Sequence, residues 1–399
     1  MSVRKRAWKT RKGGEVREAW IVTYDDAKGA RRQKSFSRKR DADAFEATAT
    51  VEVSHGLHVP DSTSVTVEVA GKLWIETATA TGLTATTLSQ YRQHLELHIK
   101  PFLGTTKVST MTVPLVRGFA DRLRDEGRSP AMVRKVLVSL GSLLGDSVER
   151  GLAVRNPVRD LRRGRKGRET RLEARRKGKL RVGVDIPSPP EIKAFIAALE
   201  GRWRPMLLTA TFTGLRASEL RGLRWSDLDL ERRTLRVCQR ADALNQIDMP
   251  KSEAGQREIP IPPLVANTLK EWKLKCPKGP LGLAFPNAAG GIESHRAIRG
   301  RGLIPAWIKA GVTVDTGDVD EDGKPILDAK YTGLHSLRHF YASWCINRVA
   351  DGGLGLPSKV VQERLGHASI VLTMDVYGHL FPSGDDGEEM AVAERALLT

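Results

Sequence analysis

The spacing of apolar positions changes three times along the chain, and each change marks a new kind of element. In Ala19-Trp20-Ile21-Val22-Thr23-Tyr24 apolar and β-branched residues dominate, a turn follows over 25–29, and Lys34-Ser35-Phe36 continues as a second strand. From 40 to 53 the period becomes helical, with Ala42, Phe45 and Ala49 at i, i+3 and i+7. Residues 1–56 are therefore expected to form a small three-stranded sheet with one helix. Gly56, Pro60 and a Ser/Thr cluster interrupt the pattern between 53 and 64 and mark a linker. Helical spacing then recurs over 65–76, 84–98, 114–125 and 129–150, with Ser129-Pro130 as a capped start, which predicts an all-α bundle across 64–160.

Beyond it the apolar content drops. Residues 155–181 carry thirteen Arg or Lys against three Asp or Glu, so this stretch cannot form a core alone and is either a solvated tether or, as favoured here, a strap laid along phosphates, with 161–186 read as a basic linker. From 187 to 382 the pattern is mixed and mainly helical. Ser188-Pro189-Pro190-Glu191 resembles a helix start, 234–239 and 257–261 read as antiparallel strands around a loop that holds Lys251, and 265–275 and 341–349 read as helices. The segment 315–328 is acidic and turn-rich and suggests no chemistry, and 383–399 is a tail. The fold class is a multidomain α+β chain whose mainly helical third domain holds a small antiparallel sheet.

Bulk composition narrows the partners. A chain of 399 residues is too long for one ordinary core. Three dispersed cysteines, Cys238, Cys276 and Cys345, in no metal-ligand spacing, fit reduced thiols in a cytoplasm. The basic first dozen residues are followed by no apolar h-region, and no run of eighteen apolar residues occurs, which argues against secretion and membrane spanning. A formal net charge of +18 makes nucleic acid the expected partner.

The chemistry concentrates toward the end. Leu365-Gly366-His367 precedes Tyr377, and His335-Ser336-Leu337-Arg338-His339 stands upstream, a set suited to a tyrosine nucleophile aimed at a phosphate. A phenol titrates near pH ~10, so attack at neutral pH needs a base beside it and cations around the developing charge. Thr213-Gly214-Leu215-Arg216 sets an arginine in the first turn of a helix, where it points at an anion or pairs with Glu219. The spacing of three puts His335 and Arg338 on one face, while His339 falls on another and reads as structural. Zinc held by His335, His339 and His367 is the rival chemistry. It is disfavoured because the i, i+4 histidines lack a Glu after the first and because arginines repel a divalent cation.

Taken in order, Arg216, Lys251 before Arg257-Glu258-Ile259-Pro260-Ile261, His335-x-x-Arg338, His367 and Tyr377 resemble the tyrosine recombinase (phage integrase) family. The motif-bearing part spans 187–382; residues 64–160 resemble that family's core-binding (SAM-like) domain, and 1–56 its arm-type DNA-binding domain. The resemblance implies an integrase of a phage or integrative element, in which Tyr377 attacks a scissile phosphodiester to form a 3′-phosphotyrosyl bond. It further implies that Arg216 and Arg338 hold the non-bridging oxygens, Lys251 protonates the leaving 5′-oxygen, His335 accepts the tyrosine proton, and His367 donates to a phosphate oxygen. No cofactor, metal or ATP is implied. Implied partners are double-stranded DNA attachment sites and three further copies of the chain on a Holliday junction, with room for an excision or directionality factor and a host DNA-bending protein. The stripe Met390, Ala393 and Leu397 would then dock on a neighbouring subunit. The expected location is the bacterial cytoplasm, at the nucleoid. A type IB topoisomerase-like enzyme and a DNA-binding protein without catalysis are the alternatives.

Overall fold

The computed structural model describes residues 1–9, 16–26, 29–54, 58, 60, 64–161, 179–250, 252–382 and 386–398. Lys251 and most of the basic linker lie outside the described residues. The chain divides into two compact units, Met1–Arg165 and Lys166–Thr399.

The first unit opens with β1 (Ser2–Lys9), β2 (Val16–Asp25) and β3 (Arg31–Phe36), an antiparallel sheet in that order, followed by α1 (Lys39–Ser54). The pattern along 19–36 locates β2 and β3, but β1 is a run of basic residues recruited by pairing with β2 (Arg4 opposite Ile21, Arg6 opposite Ala19). The helix buries Ala42 and Ala49 and packs Phe45 against Val22, Tyr24, Trp20 and Phe36. His58 is wedged between Glu52 (2.8 Å) and the Tyr24 hydroxyl (2.9 Å).

The bundle consists of α2 (Val67–Ala80), α3 (Ala85–His94), α4 (Val113–Asp125) and α5 (Pro130–Glu149). Thr66, Thr112 and Ser129 cap three of these helices by accepting from backbone N–H groups of the first turn. Their apolar stripes meet around Trp74, Ile99, Phe119, Leu140 and Leu144. The expected helix over 84–98 instead ends at His94. A π turn, Leu95–Ile99, and a short turn, Lys100–Leu103, follow, because Pro101 lacks the N–H that a continued helix needs.

In the second unit α6 (Pro189–Ala198) starts with a capping box in which Ser188 N donates to Glu191 (2.7 Å). Next come α7 (Trp203–Thr213) and α8 (Ala217–Gly222), then a three-stranded antiparallel sheet in which β5 (Thr234–Val237) lies between β4 (Leu228–Asp229) and β8 (Arg257–Pro260). A small hairpin, β6 (Arg240–Ala241) and β7 (Ile247–Asp248), leads into the turn before β8. After α9 (Pro263–Lys275) and α10 (Ile304–Lys309), the acidic segment is not merely turns. It forms the hairpin β9 (Thr313–Val319) and β10 (Pro325–Ala329), since Val314, Val319, Ile326 and Leu327 are β-formers interleaved with the acids. The chain closes with α11 (His335–Ile346), α12 (Ser358–Leu365), α13 (Ile370–Tyr377) and α14 (Asp386–Leu398). The helix read at 341–349 thus begins six residues earlier, at His335 itself. The core gathers Phe195, Trp307, Leu337, Tyr341 and Leu365, with Cys345 fully buried among them.

Candidate active site

The site is built around the C-terminal end of α12. A helix leaves its last carbonyls without internal partners, and its dipole makes that end electronegative. Here three consecutive carbonyls accept from three arginines brought from distant parts of the chain. Arg257 Nε, on β8, donates to Arg364 O (2.8 Å); Arg338 Nη2, on α11, to Leu365 O (2.5 Å); and Arg216 Nη2, at the start of α8, to Gly366 O (3.0 Å). Gly366 makes this possible. It ends α12 in the left-handed region at φ 62°, and a Cβ there would lie 2.8 Å from Arg257 Nη1.

A second anchor ties the arginines together from behind. Glu219 is 4% exposed and receives Arg257 Nη2 (2.9 Å), Arg257 Nη1 (3.2 Å) and Arg216 Nη1 (2.7 Å). Burial pushes this carboxyl up, but Arg257 and then Arg216 override it and hold Glu219 at about 2. Arg338, 2% exposed, also donates from Nη1 to Gly214 O (2.7 Å). Gly214 is left-handed as well, φ 61°, and a Cβ would meet the Tyr341 ring at 2.4 Å. Burial, then the nearby Arg216, lowers Arg338 to about 9, which leaves it charged at neutral pH. A guanidinium has five N–H donors, and these contacts engage only some of them, so both Arg216 and Arg338 keep capacity for an anion.

Of the other sequence-predicted residues, His335, His367 and Tyr377 lie near this frame, and Lys251 is outside the described residues. His335, exposed, opens α11; desolvation, then Arg338 and Arg216, hold it below the usual imidazole range. His367, just past Gly366, is buried with Nδ1 2.9 Å from Thr373 Oγ1, and burial together with Arg338 and Arg216 brings it down to about 4. Tyr377 ends α13, 2% exposed, its ring parallel to that of His367 at 6.4 Å between centroids. Burial pushes its phenol up to about 12, against the opposing pull of Arg338 and Arg216. The described roots of the Lys251 turn are pinned. Arg240 Nε donates to Met249 O (3.0 Å) on one side, and Arg257 Nη1 donates to Gly255 O (3.0 Å) on the other.

Three residues carry more than the sequence reading assigned. Glu219 and Arg257 were visible only as a local ion-pair partner and a strand residue, and their link across 38 positions had no signal in one sequence. His339 was read as structural, yet its Nδ1 lies 2.7 Å from Tyr377 Oη and its ring 4.6 Å from that of His335. His339 and Arg338 do point to different faces of α11, and Tyr377 at the end of α13 meets the face that carries His339.

Among known proteins, residues 188–383 match the phage integrase family. The chain is 26% identical over 389 residues to the tyrosine recombinase XerC-like protein of Caldanaerobacter subterraneus subsp. tengcongensis, covering 93% of this chain and 94% of that protein. It is 26% identical over 297 residues to the ICEBs1 integrase of Bacillus subtilis, covering 72% of each. Among solved structures, the Tn1549 transposon integrase in complex with transposon right end DNA superposes with a TM-score of 0.58 at 20% identity, over 84% of this chain and 100% of that one. A lambda integrase dimer bound to a core site gives 0.54 at 17% identity, over 95% and 97%. The fold is thus one shared with integrases solved in complex with DNA. Residues 188–383 carry a phage integrase family domain.

Proposed function

We infer that the protein is a tyrosine-type site-specific DNA recombinase, the integrase of a mobile genetic element. The observation that carries this reading is the gathering of Arg216, Arg338, His335, His367 and Tyr377, from three helices and a loop, within one unit around the end of α12. Arg216 and Arg338 bind the non-bridging oxygens of a scissile phosphate, and as fixed forked donors they stabilise the charge of the pentacoordinate state. Tyr377 attacks phosphorus and leaves a 3′-phosphotyrosyl bond, and the departing 5′-oxygen takes a proton from Lys251, an ammonium that can give one up. His367 donates toward a phosphate oxygen, with its ring held by Thr373. Bond energy stays in the phosphotyrosyl link, so religation to a new 5′-hydroxyl needs no nucleotide.

The layout we propose assigns 1–56 to arm-type DNA binding, 64–160 to core-site binding, 161–186 to a basic linker, 187–382 to catalysis and 383–399 to a tail. Support for the first comes from the sheet face turned away from α1, where Arg4, Arg6, Arg31 and Gln33 stand at alternate positions suited to a groove. A lambda integrase of similar fold is known as a tetramer on a Holliday junction, and we propose the same assembly here. Met390 and Leu397 on α14 are 69% and 85% exposed, consistent with docking on another copy; the side chain of Ala393 lies outside the described ones. The test is a nicked suicide duplex built from the repeats bounding the encoding element. Wild-type protein should become covalently trapped, and Tyr377→Phe should bind the same DNA with no adduct. Trapping on any duplex, with no dependence on paired sites, would instead indicate a topoisomerase-like enzyme.

A further inference from the structure

Resting on the recombinase reading, we propose that His339 is a further catalytic residue, the group that takes the proton from Tyr377 as the phenol attacks. The geometry places it there. His339 Nδ1 and Tyr377 Oη are 2.7 Å apart, whereas no hydrogen bond joins His335 to the phenol among the described residues. His339 lies one turn beyond His335 on α11, edge-on to its ring at 4.6 Å, and 5.7 Å from the Tyr377 ring. His339 is half-buried, and its ring stands beside the phenol.

The protonation states fit an acceptor. Burial, His335 and Arg338 hold His339 at about 4 against the opposing pull of Asp185, so at neutral pH the ring is neutral and has a lone pair to offer. Tyr377 keeps its proton, and with the ring proton on Nε2 the phenol O–H donates to Nδ1, the tautomer this step requires. The mismatch between the two groups also explains why the DNA-free enzyme holds no tyrosinate. The proton can move only as the Oη–P bond forms and removes the charge from the phenolic oxygen.

The step balances. Oη–P forms, P–O5′ breaks, the phenolic proton passes to His339 Nδ1, and the 5′-oxygen takes up a proton from the acid of the proposed reaction. In religation His339 returns its proton to Oη as the tyrosine departs, so one residue serves as base and then as acid.

The experiment uses the full chain on the nicked suicide duplex, with His339→Ala and His339→Gln. Both should bind DNA like wild type and form the Tyr377 adduct about 100-fold more slowly. Added imidazole should recover part of the rate in His339→Ala. Difluorotyrosine at position 377, which ionises more readily, should accelerate His339→Ala more than wild type. Adduct formation as fast as, or faster than, wild type in both variants would overturn the proposal, leaving the bond a mere latch. So would a slow variant indifferent to imidazole and to fluorination, which would make the role packing alone. Absence of any adduct from wild type would instead sink the recombinase reading, and this inference with it.

Discussion

The two sides of the site are held in opposite ways. On the cationic side, Arg216, Arg257 and Arg338 are fixed by the end of α12, by Glu219 and by Gly214 O, each guanidinium making at least two charge-assisted contacts. On the side of the proposed nucleophile, Tyr377 sits in a buried slot with its hydroxyl on a single imidazole nitrogen. A clamp for a phosphate gains from being rigid before the phosphate arrives, because donors that need no reorganisation stabilise the transition state most. A nucleophile must travel to an in-line position, so one replaceable hydrogen bond suits it. The cationic side should therefore answer substitution with large losses of both stability and rate, and the Tyr377 side chiefly with losses of rate.

The sharpest break is Arg338→Ala. It should slow adduct formation by roughly 1,000-fold and destabilise the second unit by about 3 kcal/mol, because the Gly214 and Leu365 carbonyls lose a buried partner. Denaturant unfolding read beside suicide-substrate kinetics would show both losses, and a slow but fully stable variant would contradict the clamp. Gly366→Ala tests the frame without touching an arginine. The strained left-handed conformation and the Cβ contact at 2.8 Å should cost about 2 kcal/mol. A fall in rate should accompany it, since three carbonyls shift together. Arg257→Lys keeps a charge beside Glu219 but loses the fork and the contact to Arg364 O. A loss of about tenfold in rate is expected, and an unchanged rate would show that Arg257 does not position Arg216. Thr373→Val removes the partner of His367 Nδ1. It should cost about 1 kcal/mol and only a few-fold in rate, the smallest effect because the ring stays packed parallel to Tyr377.

Acid separates the two sides on the pH axis. His367 and His339 have folded values near 4 against 6.5 when exposed, so they bind fewer protons folded than unfolded. Their stabilising effect is complete above about 6.5 and declines as pH falls toward 4, on the order of 3 kcal/mol for His367. Glu219, held at about 2, loses its contribution only below its ordinary value of 4.5. Unfolding free energy should accordingly drop in two stages on acidification, the histidine stage first. A single loss beginning below pH 4.5 would contradict the histidine environments.

Much of this arrangement is legible along the chain because it is local. Helical periodicity placed α1, α2, α4 and α5, capping residues fixed where α5 and α6 begin, and ordered motifs named Arg216, His335, Arg338, His367 and Tyr377. Three strands were expected in 1–56, but β1 could not be located because a basic run becomes a strand only when a neighbour supplies its hydrogen bonds, and the break in α3 escaped because its apolar period continues through Pro101. What folding alone decided is which groups meet. That Glu219 holds Arg257, that three arginines share the end of one helix, and that His339 rather than His335 touches the phenol all depend on the crossing of helices far apart in sequence. Periodicity records which face of a helix is apolar and is silent on which partner that face will find; only packing in three dimensions supplies the partner.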